Sequence, residues 1–227
     1  MYAMKDLSIE SLRKFIGNFQ DIILGTWDSV DVEVPFQITP NQFLKFAEYD
    51  LGSEYEHHLI NALSNLKRAI DCQIDSLLIG LGLFKKSRDE RWNFPQKIDF
   101  LDSMGIISPR ILKKINQKRN LLEHEYAKPI KDDVEDAFDV VMLFIAYTEK
   151  FLHPAIKSCE VEHVKEDKIE DFFEITMDYK KNKIIVSAYI PVKNKDEEEK
   201  KKKEIDCNSE EYLDYLKIFL SLYSIRV

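Results

Sequence analysis

The feature that most constrains the fold is a long apolar stripe that starts at Leu59 and ends at Phe84. Its members are Leu59, Leu63, Leu66, Ile70, Ile74, Leu77, Leu81 and Phe84. Steps of three and four residues bring these side chains to one face of an α-helix. The preceding Ser53-Glu54-Tyr55-Glu56 matches a capping box, a common helix start. The pattern predicts one continuous helix whose apolar face needs other helices to cover it.

Three further helical patterns of apolar residues follow, and each ends at a glycine or a proline. Gly105, Pro129 and Pro154 mark these ends, because glycine terminates helices and proline cannot continue them. The apolar residues of the three patterns are Ile98 and Leu101, then Ile111, Leu112, Ile115 and Leu122, then Val134, Phe138, Val141, Ile145 and Leu152. Four helices with short links predict an up-and-down four-helix bundle over residues 53–157.

Residues 1–52 predict a small α+β extension before the bundle. Ser8 is placed to cap a first helix, and Thr39 begins a second capping box. Between them, Val30, Val32 and Val34 alternate with acidic residues, as in a half-buried strand.

Residues 158–227 predict a second extension, made of a β-hairpin and a helix. Apolar and polar residues alternate over 173–179 and again over 184–190, which is typical of two paired strands. The stretch Lys195–Glu204 has a balance of lysine and acidic residues that favours a mobile loop. The predicted fold class is therefore mainly α, with an extension at each end.

The composition excludes several classes of protein. With 44% hydrophobic residues in 227, the chain can bury a sizeable core. Its three cysteines are far apart and form no zinc or disulfide pattern, so we expect no metal and no cofactor. The first residues lack the order of a signal peptide, and the longest apolar run, Leu77–Phe84, is too short to span a bilayer. We expect a cytoplasmic protein with no membrane partner.

The charge is distributed unevenly along the chain. A net charge of -8 argues against a nucleic-acid partner. Residues 85–131, however, contain twelve Lys and Arg against six Asp and Glu. This basic region makes Arg88, Arg91 and Lys118 candidate RNA contacts. The alternative is an ordinary solvated helix face.

The richest chemistry lies in Arg119-Asn120-Leu121-Leu122-Glu123-His124-Glu125-Tyr126. The imidazole of His124 can move protons near pH 7, and the guanidinium of Arg119 can hold a phosphate and neutralise developing charge. The amide of Asn120 can orient either group. These residues are the candidate catalytic groups of a phosphodiester cleavage that needs no metal.

The spacing of the motif indicates a homodimer. Arg119 and His124 are five positions apart and point about 140° away from each other on an ideal helix. Cleavage by the RNA 2′-hydroxyl also needs two proton transfers, which one histidine cannot easily serve. Two copies facing each other across a two-fold axis would supply two Arg and two His.

Arg-x-x-x-x-His with Asn directly after the Arg resembles the HEPN superfamily, and the resemblance covers about residues 53–157. It implies a HEPN-like bundle and a metal-independent endoribonuclease that leaves a cyclic phosphate, often a prokaryotic toxin or phage-defence effector. In this family Arg119 and His124 would be catalytic and Asn120 would support them. The sequence His124-Glu125-Tyr126 is similar to the motif of HEPN toxins in which an antitoxin adenylylates the tyrosine. Tyr126 and Glu123 are therefore candidate modification or support residues. The implied partners are RNA, a second copy of the chain, and an antitoxin or regulatory protein.

Three alternatives stay open. Arg119 and His124 could form a structural pair with Glu123, Glu125, Asp71 or Asp75. The chain could be a catalytically silent HEPN-like dimeric scaffold that binds a protein, nucleotide or RNA partner. A basic bundle that binds nucleic acid without cutting it is the third. The joint presence of Arg, Asn and His favours catalysis, because binding alone does not require an imidazole.

Overall fold

An antiparallel sheet contains segments from both ends of the chain. The computed structural model describes residues 4, 6–17, 22–107, 110, 112–114, 116–117, 128–166, 168–191 and 198–225. In this described part the sheet has five strands in the order of the sequence: β1 Ile22–Val30, β2 Ala155–Lys165, β3 Lys168–Asp178, β4 Lys183–Pro191 and β5 Glu198–Asp206. The chain divides into two units, Met1–Val32 with Pro154–Val227, and Glu33–His153.

The first unit builds its core on one face of the sheet. Helix α1, Ile9–Ile16, and the C-terminal helix, Tyr212–Ile225, contact each other, and the C-terminal helix also contacts β1, β4 and β5. The ring of Phe15 lies edge-on to Phe173 of β3, with ring centroids 5.3 Å apart. Alternate residues of β3 and β4 are buried, as expected for a sheet covered on one side.

The second unit is helical. Its helices are α2 Pro40–Leu51, α3 His58–Gly80, α4 Phe84–Asp89, α5 Phe94–Ser103 and α6 Lys131–Thr148, and the C-terminal helix of the first unit is accordingly α7. Helix α2 packs along α3, and both contact α6. The described residues at 110, 112–114 and 116–117 are also helical. A short 3-10 turn, Glu149–Phe151, follows α6.

A buried hydrogen bond connects α3 to α6 inside this unit. The side-chain amide of Gln73 donates to the hydroxyl of Thr148 over 2.8 Å. That hydroxyl donates in turn to the carbonyl of Phe144 over 2.7 Å. Gln73 and Thr148 are 3% and 0% exposed, so the two polar groups satisfy each other away from water.

The long helix is present, but both of its predicted ends are wrong. Helix α3 begins at His58 without a side-chain cap, and the Ser53 hydroxyl donates to the Tyr49 carbonyl instead. At its other end Gly82 has a φ of +72°, and the N–H of Leu83 bonds to the carbonyl of Leu78. Such a turn stops a helix, so Phe84 begins α4.

The predicted fold class is wrong. We expected a mainly α protein, a HEPN-like up-and-down four-helix bundle with a small N-terminal α+β extension and a C-terminal β-hairpin plus helix. The hairpin is present as β3 and β4, but it is the middle of a five-stranded sheet within the described residues. β1 pairs with β2, more than a hundred residues later in the chain. Local periodicity carries no signal for such a pairing, because partners distant in sequence are brought together only in the folded chain.

The charged stretch predicted as a mobile loop also belongs to the sheet. Its residues from Glu198 onward form β5, which pairs with β4 from Pro191 to Lys183. Among the described strands β5 lies at the edge of the sheet, and lysines on an edge strand are a common protection against pairing with another chain. The lysine-rich composition therefore fits an edge strand as well as a loop.

We find no membrane-spanning helix among the described residues, since none of their helices is both long enough and apolar enough.

Candidate nucleic-acid interface

The predicted catalytic segment lies outside the described residues. This applies to Lys118, Arg119, Asn120, Glu123, His124 and Tyr126. The described chain on either side belongs to the helical unit, where residues 116–117 are helical and Lys131 begins α6. The roles of these six residues therefore stay predictions.

The two other predicted RNA contacts lie close together at the end of α4. Arg88 is in the last turn of this helix and Arg91 follows it, and both side chains are exposed. Within the described part of the chain, neither guanidinium makes a hydrogen bond or an ion pair. Lys85 on the same helix differs, since it pairs with Asp89 over 3.0 Å. Two arginines are thus available to an anionic partner.

Arg91 occupies a backbone position that usually belongs to glycine. Its φ is +54°, its N–H bonds to the Arg88 carbonyl, and the N–H of Trp92 bonds to the Ser87 carbonyl. This is a Schellman turn, whose left-handed residue is normally glycine, because in that conformation the Cβ of any other residue lies too close to the following carbonyl oxygen. Gly82 and Gly105 hold the corresponding positions after α3 and α5. Arginine thus occupies a position at which the backbone conformation favours glycine.

The side chain of Trp92 packs against neighbouring residues and is not fully exposed to solvent. Its ring is half-buried, with its centroid 5.3 Å from that of Phe100 on α5. Its indole N–H donates to the carboxylate of Glu90 over 2.8 Å. These contacts favour a packing role for Trp92 over the stacking of its ring on an RNA base.

A cleft of about 270 Å³ lies between α3 and α5. Its lining residues are Lys67, Asp71, Ile74, Asp75, Phe94 and Lys97. The first four share one face of α3, at helical spacing. The other two are in the first turn of α5, whose start is set by a capping box between Asn93 and Gln96.

The charges in this cleft are arranged in pairs. The ammonium of Lys97 lies 2.6 Å from Asp75 Oδ1, and these side chains are only 18% and 22% exposed. Lys67 and Asp71 lie 3.4 Å apart and are more exposed. Both aspartates considered above as partners of the motif therefore have a lysine partner in the described residues.

The thiol beside the cleft is not activated. Burial, followed by the charge of Asp75, raises the pKa of Cys72 to about 11. Nucleophilic cysteines have a lowered pKa, because the thiolate is the reactive form. Cys72 is therefore not a candidate nucleophile.

His57 and His58, which are adjacent in the sequence, do not build a metal site in the described part of the chain. No group of three or more His, Cys, Asp or Glu residues there could hold a metal ion. A ring nitrogen of His58 instead lies 3.2 Å from the backbone carbonyl of Asp50.

A polar network around Asp50 escaped the sequence analysis. Asp50 is the one buried charged residue among those described. Its carboxylate accepts hydrogen bonds from the Tyr55 hydroxyl and, over 2.9 Å, from the Asn65 amide. The bond to Asp50 raises the pKa of the Tyr55 phenol, because the nearby carboxylate disfavours phenolate. The network joins the end of α2 to α3, and no sequence pattern signals it, since Asp50 precedes an ordinary polar turn.

Comparison of the chain with models of protein families, with curated proteins and with solved structures finds no match.

Proposed function

We propose that this chain is a metal-independent endoribonuclease of HEPN type, which cleaves single-stranded RNA and leaves a cyclic phosphate. The observation that carries the proposal is the joint occurrence of Arg119, Asn120 and His124 in one short segment. The proposal depends on the chemistry of this motif and not on a four-helix bundle, which the structure does not contain as predicted.

Each residue has a defined role in the proposed reaction. The 2′-hydroxyl attacks the adjacent phosphorus, the bond to the 5′-oxygen breaks, and a 2′,3′-cyclic phosphate forms. His124 moves a proton as general acid or base. Arg119 stabilises the charge on the pentacoordinate phosphorus, and Asn120 orients one of these groups. In a homodimer the second proton transfer falls to His124 of the other copy.

Two features of the described residues support RNA as the substrate. Arg88 and Arg91 present guanidinium groups without a partner in the described chain, and guanidinium binds phosphate in bidentate fashion. They belong to the region 85–131, which is basic in an otherwise acidic chain. We expect RNA binding that weakens as salt concentration rises.

A prokaryotic toxin or phage-defence effector is the biological role that we propose for this activity, in the cytoplasm. An antitoxin or other regulatory protein, acting on Tyr126 with Glu123 as support, is the proposed partner. Mass spectrometry of protein purified from its native host would detect an adenylylated Tyr126, and its absence under growth conditions would contradict this part.

The direct test is cleavage of a mixed-sequence RNA in EDTA by the purified chain and its His124→Ala variant, with analysis of the product ends. Cyclic-phosphate ends that disappear in the variant are expected. His57→Ala is the matched control, since His57 is an exposed histidine of the same helical unit outside the motif. No cleavage by folded wild type, or full activity of His124→Ala, would contradict the proposal. Salt-sensitive RNA binding without cleavage would instead identify a binding protein.

A further inference from the structure

We infer that the cleft between α3 and α5 binds a single guanine base. The inference rests on the proposed ribonuclease function, and it names the base that the enzyme recognises in its RNA substrate. It is carried by the size of the cleft, its balanced charge and the order of its donor and acceptor groups.

The size and the apolar part of the lining fit one base. At about 270 Å³ the cleft lies just below the roughly 300–1,000 Å³ of pockets for drug-sized ligands. The apolar members of the described lining are Phe94 and Ile74, of which Ile74 is itself 0% exposed. Bases of single-stranded RNA commonly leave the stack and bind against such side chains.

The charges favour a neutral ligand. In the described part of the lining, two ammonium groups, of Lys67 and Lys97, face two carboxylates, of Asp71 and Asp75, so these four charges balance. A phosphate would be repelled by the aspartates, and a metal ion would be repelled by the lysines. A neutral group with both hydrogen-bond donors and acceptors can use both kinds of side chain.

The order of donor and acceptor selects guanine. Lys97 Nζ lies 2.6 Å from Asp75 Oδ1, and Asp75 Oδ2 makes no hydrogen bond to another described residue. The pairing edge of guanine has the O6 acceptor beside the N1–H and N2–H donors, so O6 can face Lys97 while both N–H groups face Asp75. Uracil has one N–H between two oxygens, and adenine and cytosine have an amino group but no adjacent ring N–H.

Burial makes this selection effective. Because Lys97 and Asp75 are mostly buried and already hydrogen-bond to each other, a base with no N–H donor facing Asp75 Oδ2 removes water from that oxygen without replacing the lost hydrogen bond. Mismatches at sites of this kind are rejected more strongly than the missing contact alone would suggest.

The test compares ligands that differ by one amino group. Hexauridine labelled with fluorescein and carrying one central guanosine, inosine or adenosine is titrated into the full-length His124→Ala protein, and anisotropy is measured. Inosine lacks only the 2-amino group of guanosine. We expect guanosine to bind about tenfold more tightly than inosine, within the range for one specific base contact. Equal binding of all three by this protein would overturn the inference without any change to the cleft.

Protein variants then assign the selection to Asp75. Asp75→Asn replaces an acceptor by an NH₂ group that faces the guanine N–H donors, so the preference for guanosine over inosine should vanish. Asp99→Asn is the matched control, because it removes another Lys–Asp pair of 2.6 Å on α5, with Lys113, outside the cleft. Loss of the preference in both variants, or in neither, would overturn the inference.

The remaining measurements distinguish RNA from a free nucleotide as the source of the base, and they distinguish the cleft proposal from the ribonuclease proposal. Guanosine and inosine 5′-monophosphates compete against the labelled RNA, and a full tenfold difference between them would show that a free nucleotide suffices. Guanosine selectivity without cleavage by wild type would support the cleft and reject the ribonuclease. Cleavage at all bases alike, unchanged by Asp75→Asn, would reject the cleft and support the ribonuclease.

Discussion

The buried hydrogen bond between Gln73 and Thr148 allows a quantitative test of how the helical unit is held together. Thr148→Val replaces the hydroxyl by a methyl group of similar size, so no cavity forms, and the helix propensities of Thr and Val are nearly equal. The change leaves the amide of Gln73 without its acceptor at 3% exposure. An unsatisfied buried donor costs about 1–3 kcal/mol. We expect the free energy of unfolding of this unit to fall by that amount.

The two tryptophans make the measurement specific to one unit. Trp27 is in the sheet-containing unit and Trp92 is in the helical unit. In a Trp27→Phe background, urea unfolding followed by the fluorescence of Trp92 reports the helical unit. With a urea dependence of about 2 kcal/mol per molar, a loss of about 2 kcal/mol lowers the midpoint by about 1 M.

Controls separate the hydrogen bond from general damage. Gln73→Leu combined with Thr148→Val removes both polar groups, and this double variant should be more stable than Thr148→Val alone, because no donor stays unsatisfied. Thr176→Val in β3 is the matched change in the other unit and should leave the Trp92 transition unchanged. A midpoint shift below about 0.2 M for Thr148→Val would refute the reasoning, as would a double variant that is less stable than the single one.

Three further predictions concern single residues. Arg91→Gly should stabilise the helical unit by about 1 kcal/mol, since glycine adopts a φ of +54° without strain. The same change should weaken RNA binding and lower the salt dependence of that binding. Unchanged binding would show that Arg91 does not contact RNA. Hydrogen bonds from Ser11 and Ser8 lower the pKa of Asp6 to about 2, from an ordinary value of 3.8. The stability that this lowered pKa supplies is complete above the unfolded pKa and is lost as the pH falls toward 2. Asp6→Asn should therefore reduce the loss of stability between pH 5 and pH 2.5. The measurement is urea unfolding of the sheet-containing unit, followed by the fluorescence of Trp27 in a Trp92→Phe background. The pKa of about 11 for Cys72 predicts that iodoacetamide alkylates this thiol about 100-fold more slowly in the folded protein at pH 7.5 than in the urea-unfolded protein, because each pKa unit changes the thiolate fraction tenfold. Equal rates, measured by mass spectrometry, would show that this thiol is not shielded.

Patterns of short range predicted individual elements well. The apolar stripe that includes Leu66, Ile70 and Ile74 lies buried on α3, and Thr39 with Gln42 forms the predicted capping box of α2. The strands β3 and β4 follow the predicted alternation. In each case the residues that carry the signal are neighbours in the sequence, and their spacing already says which face is buried.

The sequence alone was less informative where an element depends on a distant partner. The alternation at Val30, Val32 and Val34 predicted a strand, but the strand is Ile22–Val30, because its extent is set by pairing with β2. The lysines of β5 suggested a loop, yet hydrogen bonds to β4 make it a strand.

The candidate sites divide in the same way. By itself the sequence determined the composition of the Arg119–Tyr126 motif, the basic region around it and the long helix before it. Only the tertiary structure decided that Asp75 meets Lys97 of another helix in a cleft, that Asp50 is buried among Tyr55 and Asn65, and that segments from both ends of the chain share a sheet. The physical reason is that periodicity records burial within one element, whereas the choice of partner is settled by contacts that exist only once the chain has closed on itself.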